Sequence, residues 1–393
     1  MYKKTGIRDN YYANIFGLQL GVILIGSLIV KIIFKEQTNI YNIFQFISVV
    51  WPFLFFKSID KWFRLFIKSK YLFALAIFYS ISVISSIESY NPFLSLMHVH
   101  LLLLILFQMY IYSSSIDFYN LRYIHIYLAF GLFFCVLLAI NEEQTISGRL
   151  GGLLNPNSIG MLMSSLMLCC FIIKRNVIKF VLLAIFLYFL IETGSRSSVL
   201  SFIAGVMIIN FSRLKITINF LKVSLISFCI VLLIIISLLY GEYLWKYLLD
   251  FFAVDSKYRG LDSGATGRVF AWQEAWRLFL NNPFFGVGFR AHEYHMTTQS
   301  SAHNGYLSLL AEIGIFGSFV IFAMISISIY KLSKYRGSMI KMFMLGCIIA
   351  YLVIAIFERY MLNIGNSFSL IFIFFVYSQL VNGDEIGIRI QAK

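Results

Sequence analysis

Apolar runs of about 20 residues recur along this chain, separated by short polar or basic interruptions. A helix rises about 1.5 Å per residue, so each run is long enough to cross ~30 Å of hydrocarbon. Taken in order, the runs predict spans at about residues 14–34, 40–56, 71–87, 93–112 and 121–140. A sixth starts near residue 152, a seventh covers about 177–191, and an eighth returns to Arg213 and Lys215. A ninth covers about 216–240, and a tenth, unusually long, runs from about His303 to Tyr330. The last two cover about 340–357 and 364–381. Strands of alternating polarity are absent from the pattern, which argues against a β-barrel. Helices also satisfy their own backbone groups in lipid. The expected fold class is therefore all-α: one polytopic membrane domain over residues 1–393, with about twelve transmembrane helices and no internal repeat.

The longest polar interval, residues 241–302, falls between the ninth and tenth spans and predicts a long loop. Inside it, Val269, Trp272, Trp276 and Phe279 fall at helical spacing, which predicts an amphipathic helix lying on the membrane surface. Asn281, Asn282 and Pro283 stop that helix, and Gly286 and Gly288 allow a tight turn after it. Residues 57–70 mix five basic residues with aromatics and are expected to lie partly along the membrane surface.

Composition supports the membrane reading: 60% of the residues are hydrophobic and only 13% charged, where a soluble domain carries about a quarter charged. The net charge of +14 sits mostly in short loops, so it sets orientation and does not point to nucleic acid. The basic segments 57–70, 174–179 and 331–341 are placed inside, with both chain ends inside and residues 241–302 outside. The five cysteines all lie in apolar runs and read as small core residues.

This orientation makes the outside arginines informative: Arg149, Arg196, Arg259, Arg268, Arg277 and Arg290. An arginine beside hydrocarbon is costly and needs a partner, and its two-pronged donor geometry fits phosphate oxygens. Together they suggest an anionic headgroup such as a lipid diphosphate, although Arg277 and Arg290 read first as headgroup anchors. His303 is a candidate general base, because imidazole titrates near neutral pH, and a structural helix-end histidine is the alternative. His292 and His295 come without the carboxylate set of a metalloprotease, so no metal or other cofactor is expected. His98 and His100 read as structural. Glu192 and Glu312 could tune the arginines or the histidine, or simply form ion pairs. Asn155 and Asn157 flank Pro156 and could bind sugar or cap a broken helix. No phosphate-binding glycine loop or GxSxG elbow is present.

Five segments occur in order: GRLGGLLNPNSIG, TGSRSSVLSF, TGRVFAWQEAW, NPFFGVG and SAHNGYLSLLAEIGIFG. Together they resemble the O-antigen ligase and polymerase family, which includes Wzy-type polysaccharide polymerases. The resemblance covers about residues 149–317. It implies a metal-independent glycosyltransferase of the C-type membrane architecture in the bacterial cytoplasmic membrane, with its active site on the outer face. Such an enzyme takes a glycan from a polyprenyl-diphosphate-linked oligosaccharide and joins it to an acceptor hydroxyl. By this likeness His303, Arg268 and Arg196 form the catalytic set. Arg268 and Arg196 hold the diphosphate and His303 activates the acceptor. Arg149 matches a further basic position. With Asn157, Arg290 and Glu192 it makes up the substrate-binding candidates. The expected partners are the lipid-linked oligosaccharide, membrane lipids, and a flippase and chain-length regulator.

A polymerase, which extends a lipid-linked chain into O-antigen, capsule or exopolysaccharide, is the first expectation, since no large outside domain follows the last span. A ligase acting on lipid A core is the alternative. A lipid-linked oligosaccharide flippase would also suit twelve spans, but it should carry charge along a central path. Here the distinctive charges crowd one face. The orientation predicts that Ser300→Cys, in a background without the native cysteines, is labelled by an impermeant thiol reagent in intact spheroplasts. Labelling only after lysis would reverse the topology.

Overall fold

The structure, a computed structural model, describes residues 6–34, 38–69, 71–117, 119–141, 148–151, 154–211, 266–297, 301–335, 337–359 and 361–391. Among these residues it is all-helical, with no β-strand. The first half contains α1 (Gly6–Phe34), α2 (Thr38–Val50), α3 (Ile59–Ile67), α4 (Tyr71–Ile87), α5 (Pro92–Ser115) and α6 (Arg122–Ile140). Then come α7 (Pro156–Cys169), α8 (Asn176–Glu192) and α9 (Arg196–Phe211). The last helices are α10 (Thr266–Asn281), α11 (Gly305–Ser333), α12 (Met339–Ala355) and α13 (Ser367–Gln391).

Every predicted span except the ninth falls on one of these helices. The ninth span and Arg259 lie outside the described residues. Twelve full-length spans are not seen among the described residues. Four described helices are long and apolar enough to cross a membrane, or five if one bent pair counts as a single span. One apolar run is shortened at its start by a polar cap and a proline. The sixth run begins near residue 152, yet α7 starts only at Pro156, with the Asn155 side chain accepting from the Asn157 amide. Its last residues, Cys170–Ile172, tighten into a 3-10 turn. In the bent pair, the helix running to Phe55 turns by 106° into α3, which carries the basic and aromatic residues expected at the surface.

Large apolar side chains on several helices stay exposed, as lipid-facing groups do. Phe73 on α4 and Val177 on α8 are 74% and 77% exposed. Inside, α1 packs on α6, α5 on α13, and α9 along α12. The α9–α12 crossing is close because Gly205 and Gly346 each occupy a place where a Cβ would meet the other's carbonyl oxygen. A buried polar network ties α1, α2 and α5 together. Gln19 donates to Gln108 Oε1 at 2.9 Å and to the Ser48 carbonyl at 3.3 Å. The Tyr112 hydroxyl donates to Gln19 Oε1 at 3.0 Å. Every link in it closes on another protein group, which is what makes burial of amides tolerable.

One expectation for the late region is corrected. The tenth span is not one continuous helix. It starts at Gly305 behind the Asn304 cap and breaks at Gly314, whose φ of 62° and ψ of −168° are not helical. The segment 283–288 fills the break. Val287 and Gly288 amides donate to the Ala311 and Glu312 carbonyls at 2.9 and 3.0 Å, and the Ile315 amide donates to the Pro283 carbonyl at 2.8 Å. The helix in the long loop exists as α10, but its buried face is Ala271 and Ala275. Small residues at i and i+4 let α10 lie close on α11. Val269 and Trp276 from the predicted stripe are exposed, beside Phe270 and Leu280.

A Cβ at Gly314 would strike the Phe284 backbone, and one at Gly286 would strike the backbone of Ala311 and Glu312. Both glycines have positive φ. Gly314→Ala and Gly286→Ala should each cost about 2 kcal/mol or more, read as a lower unfolding temperature of the detergent-solubilised protein. A surface change such as Gly337→Ala should leave that temperature unchanged.

Candidate functional site

One end of the bundle gathers the connectors before α5, before α7, between α8 and α9, around residues 283–304, and between α12 and α13. A cavity of about 260 Å³ opens among them. The C-terminal part of α1 contributes Ser27 and Lys31, and α2 contributes Tyr41 and Gln45. The start of α7 contributes Asn155, Asn157 and Ser158. Arg290 and His303 come from the late loop, and Glu358, Arg359, Asn363 and Asn366 from the α12–α13 connector. Three cations, Lys31, Arg290 and Arg359, thus face one carboxyl, among amides and hydroxyls. Such a lining favours an anionic group joined to a polyhydroxylated one.

His303 is held just ahead of α11. Asn304 caps the helix by accepting from the Tyr306 and Leu307 amides at 3.0 and 3.1 Å. That leaves His303 outside the helix with a φ of 46°, in the left-handed region that non-glycine residues rarely enter. Arg290 has a φ of 58°, so two of the cavity's charged or titratable residues stand on strained backbone. Burial, then the positive charges of Arg268 and Arg359, hold the His303 imidazole below its ordinary value of 6.5, with Glu293 opposing. The ring is therefore neutral at neutral pH and able to accept a proton.

Of the expected residues, the structure brings His303, Arg290 and Asn157 onto one cavity wall. Arg268, on the first turn of α10, is near enough for its charge to act on both His303 and Glu358. Arg149 stands one step behind. Its Nε donates to the Thr193 carbonyl at 2.6 Å and its Nη2 to Asn157 Oδ1 at 2.8 Å. It thereby links the α8–α9 turn to the start of α7. Arg196 opens α9 just after that turn. Glu192 ends α8, and its carbonyl accepts from the Leu150 amide at 2.9 Å. Neither Arg196 nor Glu192 lines the cavity. Arg277 is exposed on α10. Asn155 is a helix cap, which was one of its two readings.

His292 is fully buried, with Nδ1 at 2.6 Å from Glu312 Oε1. His100 is exposed and shares a 3.0 Å hydrogen bond with the Tyr79 hydroxyl. His98 is buried on α5, its Nδ1 2.8 Å from the Leu94 carbonyl oxygen. The described cysteines Cys135, Cys169, Cys170 and Cys347 are free and buried.

Glu358, Arg359 and Lys31 escaped the sequence reading. Glu358 is partly buried, and its Oε1 is sealed from solvent without a hydrogen-bond partner among the described residues. Burial pushes its carboxyl up to about 7, against the lowering effect of Arg268 and Arg359. Arg359 also pairs with Glu293 at 3.4 Å. The only signal in the sequence was a charged pair in a short connector assigned to the same side as His303.

Because the folded pKa of Glu358 lies above its ordinary value of 4.5, the folded state binds this proton more tightly than the unfolded one. Its stabilising effect is full below about 4.5 and is lost as pH rises through about 7. Glu358→Gln should flatten the fall in unfolding temperature across that window, measured side by side with the unsubstituted protein.

Residues 181–322 match the family described as O-Antigen ligase. Over 316 residues the chain is 23% identical to a protein of Rickettsia prowazekii (strain Madrid E) named "Putative polysaccharide ligase". That alignment covers 73% of this chain and 74% of the relative. The matched stretch contains α9, α10, the glycine-broken first part of α11 and His303, so these elements carry the chain's similarity to the O-antigen ligase family.

Proposed function

We propose that this protein transfers a glycan from a polyprenyl diphosphate to an acceptor hydroxyl at the cavity beside His303. The carrying observation is a neutral, positioned imidazole on the wall of a cation-lined, amide-rich cavity. In the reaction His303 takes the proton of the acceptor hydroxyl as its oxygen bonds to the anomeric carbon. The bond from that carbon to the diphosphate breaks, and the lipid diphosphate leaves with the electron pair. Arg268 and Arg196 offset its growing charge, and fixed cations are worth most where charge develops. Arg290 and Lys31 meet the donor on the cavity wall. Asn157, held by Arg149, offers its amide to a sugar hydroxyl, and Glu192 supports the α8–α9 turn that carries Arg196.

As to the acceptor, both matches carry the name of ligase, so transfer to a finished acceptor such as lipid A core is put ahead of chain extension by a polymerase. We place the site on the outer face of the bacterial cytoplasmic membrane, on the orientation set by the basic segments. There a flippase would deliver the donor and a chain-length regulator would act on the glycan before transfer.

Purified protein in lipid, given lipid-linked oligosaccharide and acceptor, tests the roles. His303→Gln keeps hydrogen bonding but has no titratable site, and should lower transfer about 100-fold or more while donor binding persists. Arg268→Lys keeps the charge but loses the fork, and should lower transfer about 10-fold or more. Normal transfer by His303→Gln removes the base from the reaction. In the native host, loss of the protein should leave long lipid-linked chains without their final acceptor. Single lipid-linked repeats would mark a polymerase, and loss of outer-face repeats a flippase.

A further inference from the structure

A second histidine stands behind His303, and both its ring nitrogens are engaged within the protein. His292 Nδ1 lies 2.6 Å from Glu312 Oε1, and neither side chain is more than 3% exposed. On the other edge of the ring, Nε2 lies 3.3 Å from the Ala302 amide nitrogen and 3.3 Å from Ser308 Oγ. An amide nitrogen can only donate, so Nε2 is the acceptor and the ring carries its proton on Nδ1, directed at the carboxylate. Glu312 and Ser308 are one turn apart on the first segment of α11, and Ala302 is the residue before His303. The ring therefore bridges that helix to the backbone that presents His303.

The bridge meets a strained point. His303 is in the left-handed region, and such a conformation persists only where the surroundings over-determine it. On its C-terminal side, Asn304 is locked by its capping bonds. On its N-terminal side, the Ala302 amide is held by His292. The Glu312 residue is itself fixed at its carbonyl, which accepts from the Gly288 amide at 3.0 Å and from the Ser85 hydroxyl. A carboxylate anchored at the helix break thus orients an imidazole, and the imidazole orients the backbone of the proposed base.

We infer that His292 and Glu312 are positioning residues for His303, setting where its imidazole stands over the cavity without touching substrate. This rests on the reading of His303 as the base. Misplacing a reacting group by about 1 Å can cost about 100-fold in rate, whereas the proposed donor contacts include Lys31, Arg268 and Arg196, which stand on other elements.

The experiment compares Glu312→Gln, Glu312→Leu and His292→Leu with the unsubstituted protein and with His303→Gln, all purified in lipid. Glu312→Gln keeps an oxygen acceptor for the Nδ1 proton, so it should retain transfer within about threefold. The two leucine variants should lose about 30–100-fold in turnover with KM for the donor changed less than about threefold. The acid limb of their pH profiles should move up toward the ordinary histidine range, because a loosened His303 is less buried. Leucine variants with normal turnover and an unmoved acid limb overturn the positioning role, and so does a rise in KM at unchanged turnover. Should neither leucine variant fold, Glu312→Gln decides alone: turnover reduced to the level of His303→Gln overturns the proposal. Normal transfer by His303→Gln in the same preparation is the separate outcome that removes the base reading itself.

Discussion

Breaking a helix inside an apolar bundle releases peptide groups that lipid cannot satisfy, and the site of this protein is built on such a break. At Gly314 the α11 ladder is interrupted, and the loop 283–288 supplies the missing partners from its own backbone. The exchange works only at backbone-to-backbone distance, which is why glycine stands on both sides of it. The docked loop carries the chain on to Arg290 and the 292–295 turn. The position of these residues over the cavity therefore depends on hydrogen bonds made well away from any charge.

The electrostatics follow from that frame. Cations converge from α1, from the late loop and from the α12–α13 connector, elements that are distant in sequence. Their summed field favours an anion, while burial first, and then the charges of Arg268 and Arg359, hold the His303 imidazole low. Arg359 thus serves twice, as a cation of the cavity lining and as one of the charges acting on His303. Glu358 works against the cations at closest range, and its own burial limits how much negative charge it contributes near neutrality.

Much of this was legible along the chain. Runs of about 20 apolar residues made most of the helices visible, and the Asn155–Pro156 pair announced a helix start. His303 was visible because a histidine beside an asparagine cap at the edge of an apolar run stands out. Helix lengths were less legible, since caps and 3-10 turns shorten an apolar run without altering its hydropathy. The residues that pack α10 on α11, Ala271 and Ala275, were not legible, because small residues carry no hydropathic signal beside the large apolar ones. Glu358 and Arg359 carried no periodicity at all. Their meaning depends on meeting residues of α1 and α2 from the other end of the chain, and nothing local in a sequence encodes such a meeting.

That meeting also sets an order of assembly. Walls of the cavity come from α1 and α2, from the start of α7, from the late loop, and last from residues 358–367. A chain made from its N-terminus has Lys31, Arg290 and His303 in place before Glu358 and Arg359 arrive. Until then the lining lacks Glu358 and Arg359, and with Arg359 one of the charges that, after burial, hold the His303 imidazole low. The lining is thus completed by the residues that follow α12.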